Sequence, residues 1–243
     1  VEIFDDLEAE QDALETVLTG LSEQAWRSES AAPGWTVADT VLHLAQSEEA
    51  VVATTGGHGD SLGWRQYADS VDGAMAALVE AQRAEPAEVF QRWRTARRAA
   101  LQGLRQADPS RSVRWVAAEL KPRTLATTRL AEHWAHALDI VGPLGIDYPD
   151  TARLRHIAWL GHSTLPYAFA VAGQEAHAVH CVLTGPGGEV WRYGPAEADS
   201  SITGSAGAFC RVGAQRLAPD ESGLVTDGPY GRAALGVLRN YAS

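Results

Sequence analysis

The chain opens on a helical period. Over residues 3–19, Ile3, Leu7, Leu14, Val17 and Leu18 fall on one face at 3.6 spacing, and Gly20 marks a turn. A second helix is expected from Val37 to about Thr54. Thr36 is a good N-cap, Asp39 stands three places on in near capping-box spacing, and Gly56-Gly57 stops the helix. Trp35 precedes the cap and can staple onto Thr40 or Val41. The pattern from Ser70 to Gln106 predicts a third helix with Pro86 as its candidate break. Its arginines face outward and Phe90, Trp93, Ala96, Leu101 and Leu104 inward. Residues 108–115 read as a loop. A fourth helix covers about Thr124–Val141, and Gly142-Pro143 ends it. Four helices of this length suggest a bundle.

After about residue 150 the pattern changes. Residues 152–173 predict one further helix, a bridge between the halves. AHAVHCVLTGPGGEVWRYGP reads as a β-hairpin, two apolar and β-branched runs around a GPGG turn. SAGAFCRVGAQRL is a short helix, SGLVTDG a strand and GRAALGVLRNYA a final helix. The expected fold class is therefore α+β, with an all-helical part over 1–150 and a bridging helix plus small α+β part over 151–243.

Composition narrows the class of function. The 243 residues carry a formal net charge of −11, and a surface that binds nucleic acid needs a basic stripe, so nucleic acid is not an expected partner. Nineteen of the twenty basic residues are Arg; Lys121 is the single Lys. Cys181 and Cys210 form no CxxC pattern, which excludes a disulfide scaffold and a cysteine zinc site. The N-terminal stretch is acidic and amphipathic, unlike a signal peptide. No uncharged apolar run reaches the length of a membrane span. The expectation is a cytoplasmic protein acting on a small molecule.

The strongest chemical signal is Glu132-His133-Trp134-Ala135-His136. Residues i and i+4 of a helix stand about 40° apart, one turn up the same face, so Glu132 and His136 can grip one metal ion. A third ligand must come from elsewhere. His43 is the candidate, since it sits in the apolar run Val41-Leu42-His43-Leu44-Ala45, where a bare imidazole is costly without a partner. Two histidines and a carboxylate make a common catalytic shell with open positions. Zinc fits it first, and Fe(II), Ni(II) and Mn(II) use similar ligands. Asp139, three residues after His136, can hold an imidazole N–H or act as a base. Taken alone, Glu-x3-His also describes solvated helix neighbours, and His43 also fits a satisfied core histidine. His133 points about 100° away from Glu132 and reads as outside the site. Trp26, Trp35, Trp93, Trp115 and Trp134 read as core.

PGWTVADTVLHLAQSEEA resembles the first signature of the DinB-like, mycothiol-dependent maleylpyruvate isomerase superfamily, and RLAEHWAHALDI resembles its second, Glu-x3-His-x2-Asp. LTGPGGEVWRYGP and ITGSAGAFCRVGAQR are similar to a branch described as metal-binding proteins. The resemblance implies a DinB-like four-helix bundle holding a divalent metal, usually zinc, on His43, Glu132 and His136. It implies a smaller sterol-carrier-like α+β domain packed near the metal mouth. It implies mycothiol bound as thiolate, which adds to a conjugated double bond and leaves after rotation. It also implies an Arg from the second domain holding the substrate carboxylate, a position best matched by Arg216; Arg211 lies about 140° round the same short helix. The family's His-Gly-x-Asp here reads His136-Ala137-Leu138-Asp139, and Lys121-Pro122-Arg123 is a departure before the last bundle helix, with Lys121 read as a loop residue.

Three functions follow. The first is a metal-dependent isomerase or S-transferase acting on a small electrophile with mycothiol. The second is a thiol-independent Lewis-acid isomerase, cyclase or lyase of secondary metabolism. The third is a non-catalytic small-molecule binding protein. An arginine-rich, polar mouth favours the first. An apolar mouth, with Trp64, Tyr67, Trp159, Tyr167 and Phe169 as candidates, favours the others.

Overall fold

A computed structural model describes residues 2–58, 68, 70–116 and 118–240. The fold is α+β, and the chain divides into two compact units, one ending at Tyr148 and the other starting at Pro149.

The first unit is built on four long helices, α1 (Ile3–Thr19), α3 (Val37–Thr55), α5 (Pro86–Gln106) and α6 (Pro122–Leu144), with the shorter α2 (Glu23–Arg27) and α4 (Val71–Ala81) between them. Helix α3 lies chiefly against α5, and α1 against α6. Leu14, Leu18, Val37, Val41, Leu44, Val89, Trp93, Ala137 and Ile140 meet in one apolar cluster.

The capping box of α3 forms. Thr36 Oγ1 accepts from the Asp39 N–H at 3.1 Å, and Asp39 Oδ2 accepts from the Thr36 N–H at 3.0 Å. Arg83 Nε donates to the second oxygen of Asp39 at 2.9 Å, so one carboxylate both starts α3 and ties down the loop after α4. The long pattern from 70 to 106 is two helices, since α4 stops at Ala81 and α5 restarts with Pro86 in its first turn, where a missing N–H costs nothing.

Three expectations for this unit need correction. Helix α6 runs past Gly142-Pro143 to Leu144 and ends at Gly145, φ +65°. Pro143 removes the N–H that would bond to the Asp139 carbonyl, and the Ala31 N–H takes that carbonyl instead at 2.8 Å. Residues 108–115 are not wholly loop, and the unit is not all-helical: β1 (Val113–Trp115) pairs antiparallel with β2 (Ala118–Leu120), Val113 opposite Leu120. Helix α2 had no separate signal, being too short to show a period.

In the second unit the expected bridging helix is two, α7 (Leu154–Ser163) and α8 (Leu165–Val171), divided where Pro166 cannot continue the ladder. A four-stranded sheet has the order β4-β3-β5-β6. The hairpin of β3 (His180–Thr184) and β4 (Val190–Tyr193) forms around the GPGG turn. Strand β5 (Ser201–Ser205), not foreseen, runs parallel to β3 with Cys181 opposite Ile202, and β6 (Val225–Asp227) closes the sheet antiparallel to β5. Helices α9 (Ala206–Gly213) and α10 (Gly231–Val237) complete the unit. Its core includes Leu154, Ile157, Cys181, Leu183, Ile202, Phe209 and Cys210. Both cysteines are free, and burial pushes their thiols up, Cys181 to about 12.

Asp39→Ala removes the cap and the Arg83 pair together, with an expected loss of about 1–2 kcal/mol near neutral pH. Burial raises the Asp39 carboxyl, but Arg83 and Thr36 outweigh it and hold it below its ordinary value. A depressed carboxyl stabilises fully above its unfolded titration range, and that contribution is lost as pH falls through the folded one. Urea unfolding should therefore show a gap between the two proteins at neutral pH that narrows in acid; a gap independent of pH would contradict the ionic part of this role.

Candidate metal centre

Helix α3 carries His43 and helix α6 carries Glu132 and His136, and packing brings the three together within the first unit. One donor atom from each lies within 4.8 Å of the others, the single such trio among the described residues. His136 Nε2 stands 3.5 Å and His43 Nε2 3.8 Å from the same oxygen, Glu132 Oε2. These distances exceed a hydrogen bond. Two donors each at about 2.0–2.1 Å from a tetrahedral ion stand about 3.3 Å apart, so the trio is spaced for a shared cation better than for bonding to one another. Two neutral imidazoles and one carboxylate are also the donor set that zinc and similar divalent ions take.

The next layer is as specific. Asp139 Oδ2 sits 2.9 Å from His136 Nδ1, which fixes that proton and leaves Nε2 facing Glu132. Among the described residues, no equivalent hydrogen bond reaches His43 Nδ1, a buried atom. The Trp35 indole instead lies beside both rings, with centroids 5.1 Å from His43 and 6.2 Å from His136. Trp35, read as core, therefore lines the site.

The three groups differ in how their surroundings shift them. Burial raises the Glu132 carboxyl, but the neighbouring imidazoles of His136 and His43 and the charge of Arg129 overcome it, leaving the group well below the usual carboxylate range. Burial holds His43 below its ordinary value. Burial also works against a charged His136, but Asp139 and Glu132 prevail and raise it.

A second polar group lies deeper in the bundle. Arg129 Nε donates to Glu48 Oε1 at 2.8 Å, and both side chains are buried. His133 Nδ1 meets the Arg129 carbonyl at 2.9 Å, and its Nε2 lies 3.2 Å from the Trp93 Nε1–H and 3.5 Å from Gln11 Nε2. His133 thus lies outside the trio, as its direction implied. Arg129, three residues before Glu132 on α6, pairs with Glu48. The hint in the sequence was positional: Arg129 falls one turn from both Leu125 and His133 on the buried stripe of α6.

The remaining candidates belong elsewhere. Arg216 lies in the second unit just after α9, where its Nη1 donates to the Ala214 carbonyl. Arg211 makes a two-armed bond to Asp150 at 2.7 and 2.8 Å, a structural clamp within that unit. Lys121 stands at the N-terminal boundary of α6 without capping it through its side chain, and its ammonium donates to the Ser110 carbonyl. Phe169 is fully buried, so it offers nothing to an open mouth; Trp159 and Tyr167 are exposed. Trp64 and Tyr67 lie outside the described residues. Among the described residues, no helix is long and apolar enough to cross a membrane.

Residues 7–141 match the mycothiol maleylpyruvate isomerase N-terminal domain family. Two uncharacterized proteins, from two strains of Mycobacterium tuberculosis, are 35% identical over 221 residues, which cover 88% of this chain and 84% of each relative. The crystal structure of the mycothiol-dependent maleylpyruvate isomerase superimposes with a TM-score of 0.61 at 14% identity, covering 93% of this chain and 95% of that one. A histidine-to-alanine mutant of that enzyme gives 0.58 at 13%, with the same coverage. The chain belongs to the mycothiol maleylpyruvate isomerase family, with the DinB-like bundle and the small α+β unit that its sequence resembles.

The deep histidine provides a check on these electrostatics. Burial first, and Arg129 second, lower His133 to about 3. Its bonds to the Arg129 carbonyl and the Trp93 indole require the neutral ring with the proton on Nδ1. NMR of the imidazole nitrogens should find that tautomer unchanged across the ordinary histidine range. Because the unfolded chain takes up a proton that the folded chain refuses, stability should fall by up to about 1.4 kcal/mol per pH unit as pH drops below about 6.5. An ordinary titration of His133 would contradict its assigned partners.

Proposed function

We propose that the protein is a divalent-metal-dependent isomerase, zinc being the first candidate, that uses mycothiol on a small electron-poor alkene bearing a carboxylate. The observation that carries this reading is the facing of two Nε2 atoms, from helices far apart in sequence, onto one Glu132 oxygen. Family membership supports the thiol, and the similar solved enzyme is itself mycothiol-dependent. His43, Glu132 and His136 would hold the ion. Once bound there, it supplies positive charge that lowers the pKa of a thiol and keeps thiolate available at neutral pH.

The chain's own groups do the remaining work. Glu132 is held ionised and His43 neutral, so neither needs a proton change to act as a ligand. Asp139 keeps the His136 proton on Nδ1, which leaves Nε2 as the donor atom. Trp35 covers the rings and limits water around them. In this reading residues 1–150 are the metal-binding part and 151–243 the substrate part, where Arg216 grips the substrate carboxylate through paired N–H donors. The reaction balances without further reagents. Sulfur adds to one alkene carbon, the former double bond rotates, and sulfur leaves, returning the thiol unchanged. An S-transferase would differ in keeping the sulfur on the product. We infer that the protein works in the reducing cytoplasm, where a free thiol cofactor persists.

Purified protein should carry about one equivalent of divalent metal. His43→Ala and His136→Ala should lose it, and Asp139→Asn should weaken binding by about 10- to 100-fold. Conversion of a cis to a trans conjugated acid, followed by ultraviolet absorbance, should need both zinc and mycothiol. Turnover without thiol would replace this reading with the Lewis-acid one, and failure to bind zinc would leave the binding-protein reading.

A further inference from the structure

The Glu48–Arg129 pair is a poor stabiliser of the bundle. Both groups are buried, yet Glu48 Oε2 and Arg129 Nη2 find no hydrogen-bond partner among the described residues. A buried ion pair with unsatisfied atoms gains no more than an apolar pair of the same volume would. Its position suggests another use. Arg129 is one helical turn before Glu132, a spacing that brings side chains together. Its charge bears on Glu132, His43 and His133 alike. Glu48 is on α3, five residues after His43.

We propose that Glu48 is a counter-charge and positioning residue for the metal centre: it cancels the Arg129 guanidinium so that the cation site keeps the charge a divalent ion requires. This inference rests on the metal reading above. Arg129 cannot lose its proton, and an uncompensated guanidinium in a bundle core is expensive; burial pushes the Glu48 carboxyl above its ordinary value, and the guanidinium bonded to it at 2.8 Å opposes that shift and favours the charged form that compensates it. The Trp115 ring backs the other side of the guanidinium, 5.7 Å from Cζ. Arg97, whose charge also reaches Glu48, is paired with Asp12 and Glu15 and so is already balanced. Glu132, Asp139 and Glu48 against Arg129 then leave two negative charges, which match a divalent cation. Without Glu48 only one is left, and a desolvated positive charge stands beside the ion. The pair also links α3 to α6 near the point where His43 must meet Glu132 and His136.

The test is a charge-reversible cycle read by zinc affinity, measured by competition with a chromophoric chelator after circular dichroism has confirmed folding. Glu48→Gln should weaken zinc binding by about 10- to 100-fold, because an unpaired guanidinium repels the ion. Arg129→Met should bind zinc at least as tightly as the unchanged protein. The double variant Glu48→Gln/Arg129→Met, which removes both charges, should return to within about threefold of it. A pair that acts only as a mechanical clamp predicts the opposite, namely weakened binding in the double variant by tenfold or more, and that result would overturn the proposal. The double variant buries no unpaired charge, so it decides the matter even if Glu48→Gln fails to fold. Failure of the unchanged protein to bind zinc would bring down the metal reading and this inference together; normal binding with an unrestored double variant would bring down the inference alone.

Discussion

The structure depends on how one face of α6 is reconciled with burial. Arg129, Glu132, His133, His136 and Asp139 all project from a helix whose other inward positions are Leu125, Leu130, Ala137 and Ile140. Charged and ionisable groups in such a place are costly unless each is paired. Glu48 meets Arg129, Trp93 and Gln11 meet His133, and Asp139 meets His136. Glu132 and the two Nε2 atoms facing it are left at distances longer than a hydrogen bond. Glu48 Oε2 and Arg129 Nη2 also lack partners among the described residues, but only at the trio do the donor atoms converge where a cation would satisfy them.

The contrast between His133 and His136 shows how much the surroundings decide. They are three residues apart on one helix and both are enclosed. His133 is fully buried beside Arg129, and burial with that charge outweighs the nearby carboxylates and drives it far below its ordinary value. His136 lies between two carboxylates, and they overcome the same penalty. The deep histidine ties helices together, and the shallow one stays available for chemistry.

Much of the fold could be read from the chain because its long helices have clear periods and clear ends. The Thr36 capping box, the break at Pro86 and the GPGG hairpin all act within a few residues, and local signals suffice for them. The misses have a common cause in interactions that are not local. Pro143 does not end α6 because a distant N–H, that of Ala31, takes the carbonyl it leaves free. Strands β1 and β2 are too short for alternation to show, β5 reads Ser-Ile-Thr-Gly-Ser with a single apolar side chain, and all three exist through their pairing partners. Within the site, the trio and Asp139 could be found from helical spacing and from the family's two signatures. Glu48 and Trp35 could not, since the first reads as one of two adjacent surface acids and the second as ordinary core. What places them is the packing of α3 and the loop before it against α6.

The second unit holds Arg216 and the sheet, and the reading of its part in catalysis depends on the metal centre being real. The most direct test of that centre is zinc K-edge X-ray absorption on protein purified without added metal. The account predicts two imidazole nitrogens and carboxylate oxygen at about 2.0–2.1 Å from a single zinc, with a sulfur at about 2.3 Å appearing when mycothiol is added. A spectrum of loosely bound, fully hydrated zinc, or one unaltered by His136→Ala, would contradict it.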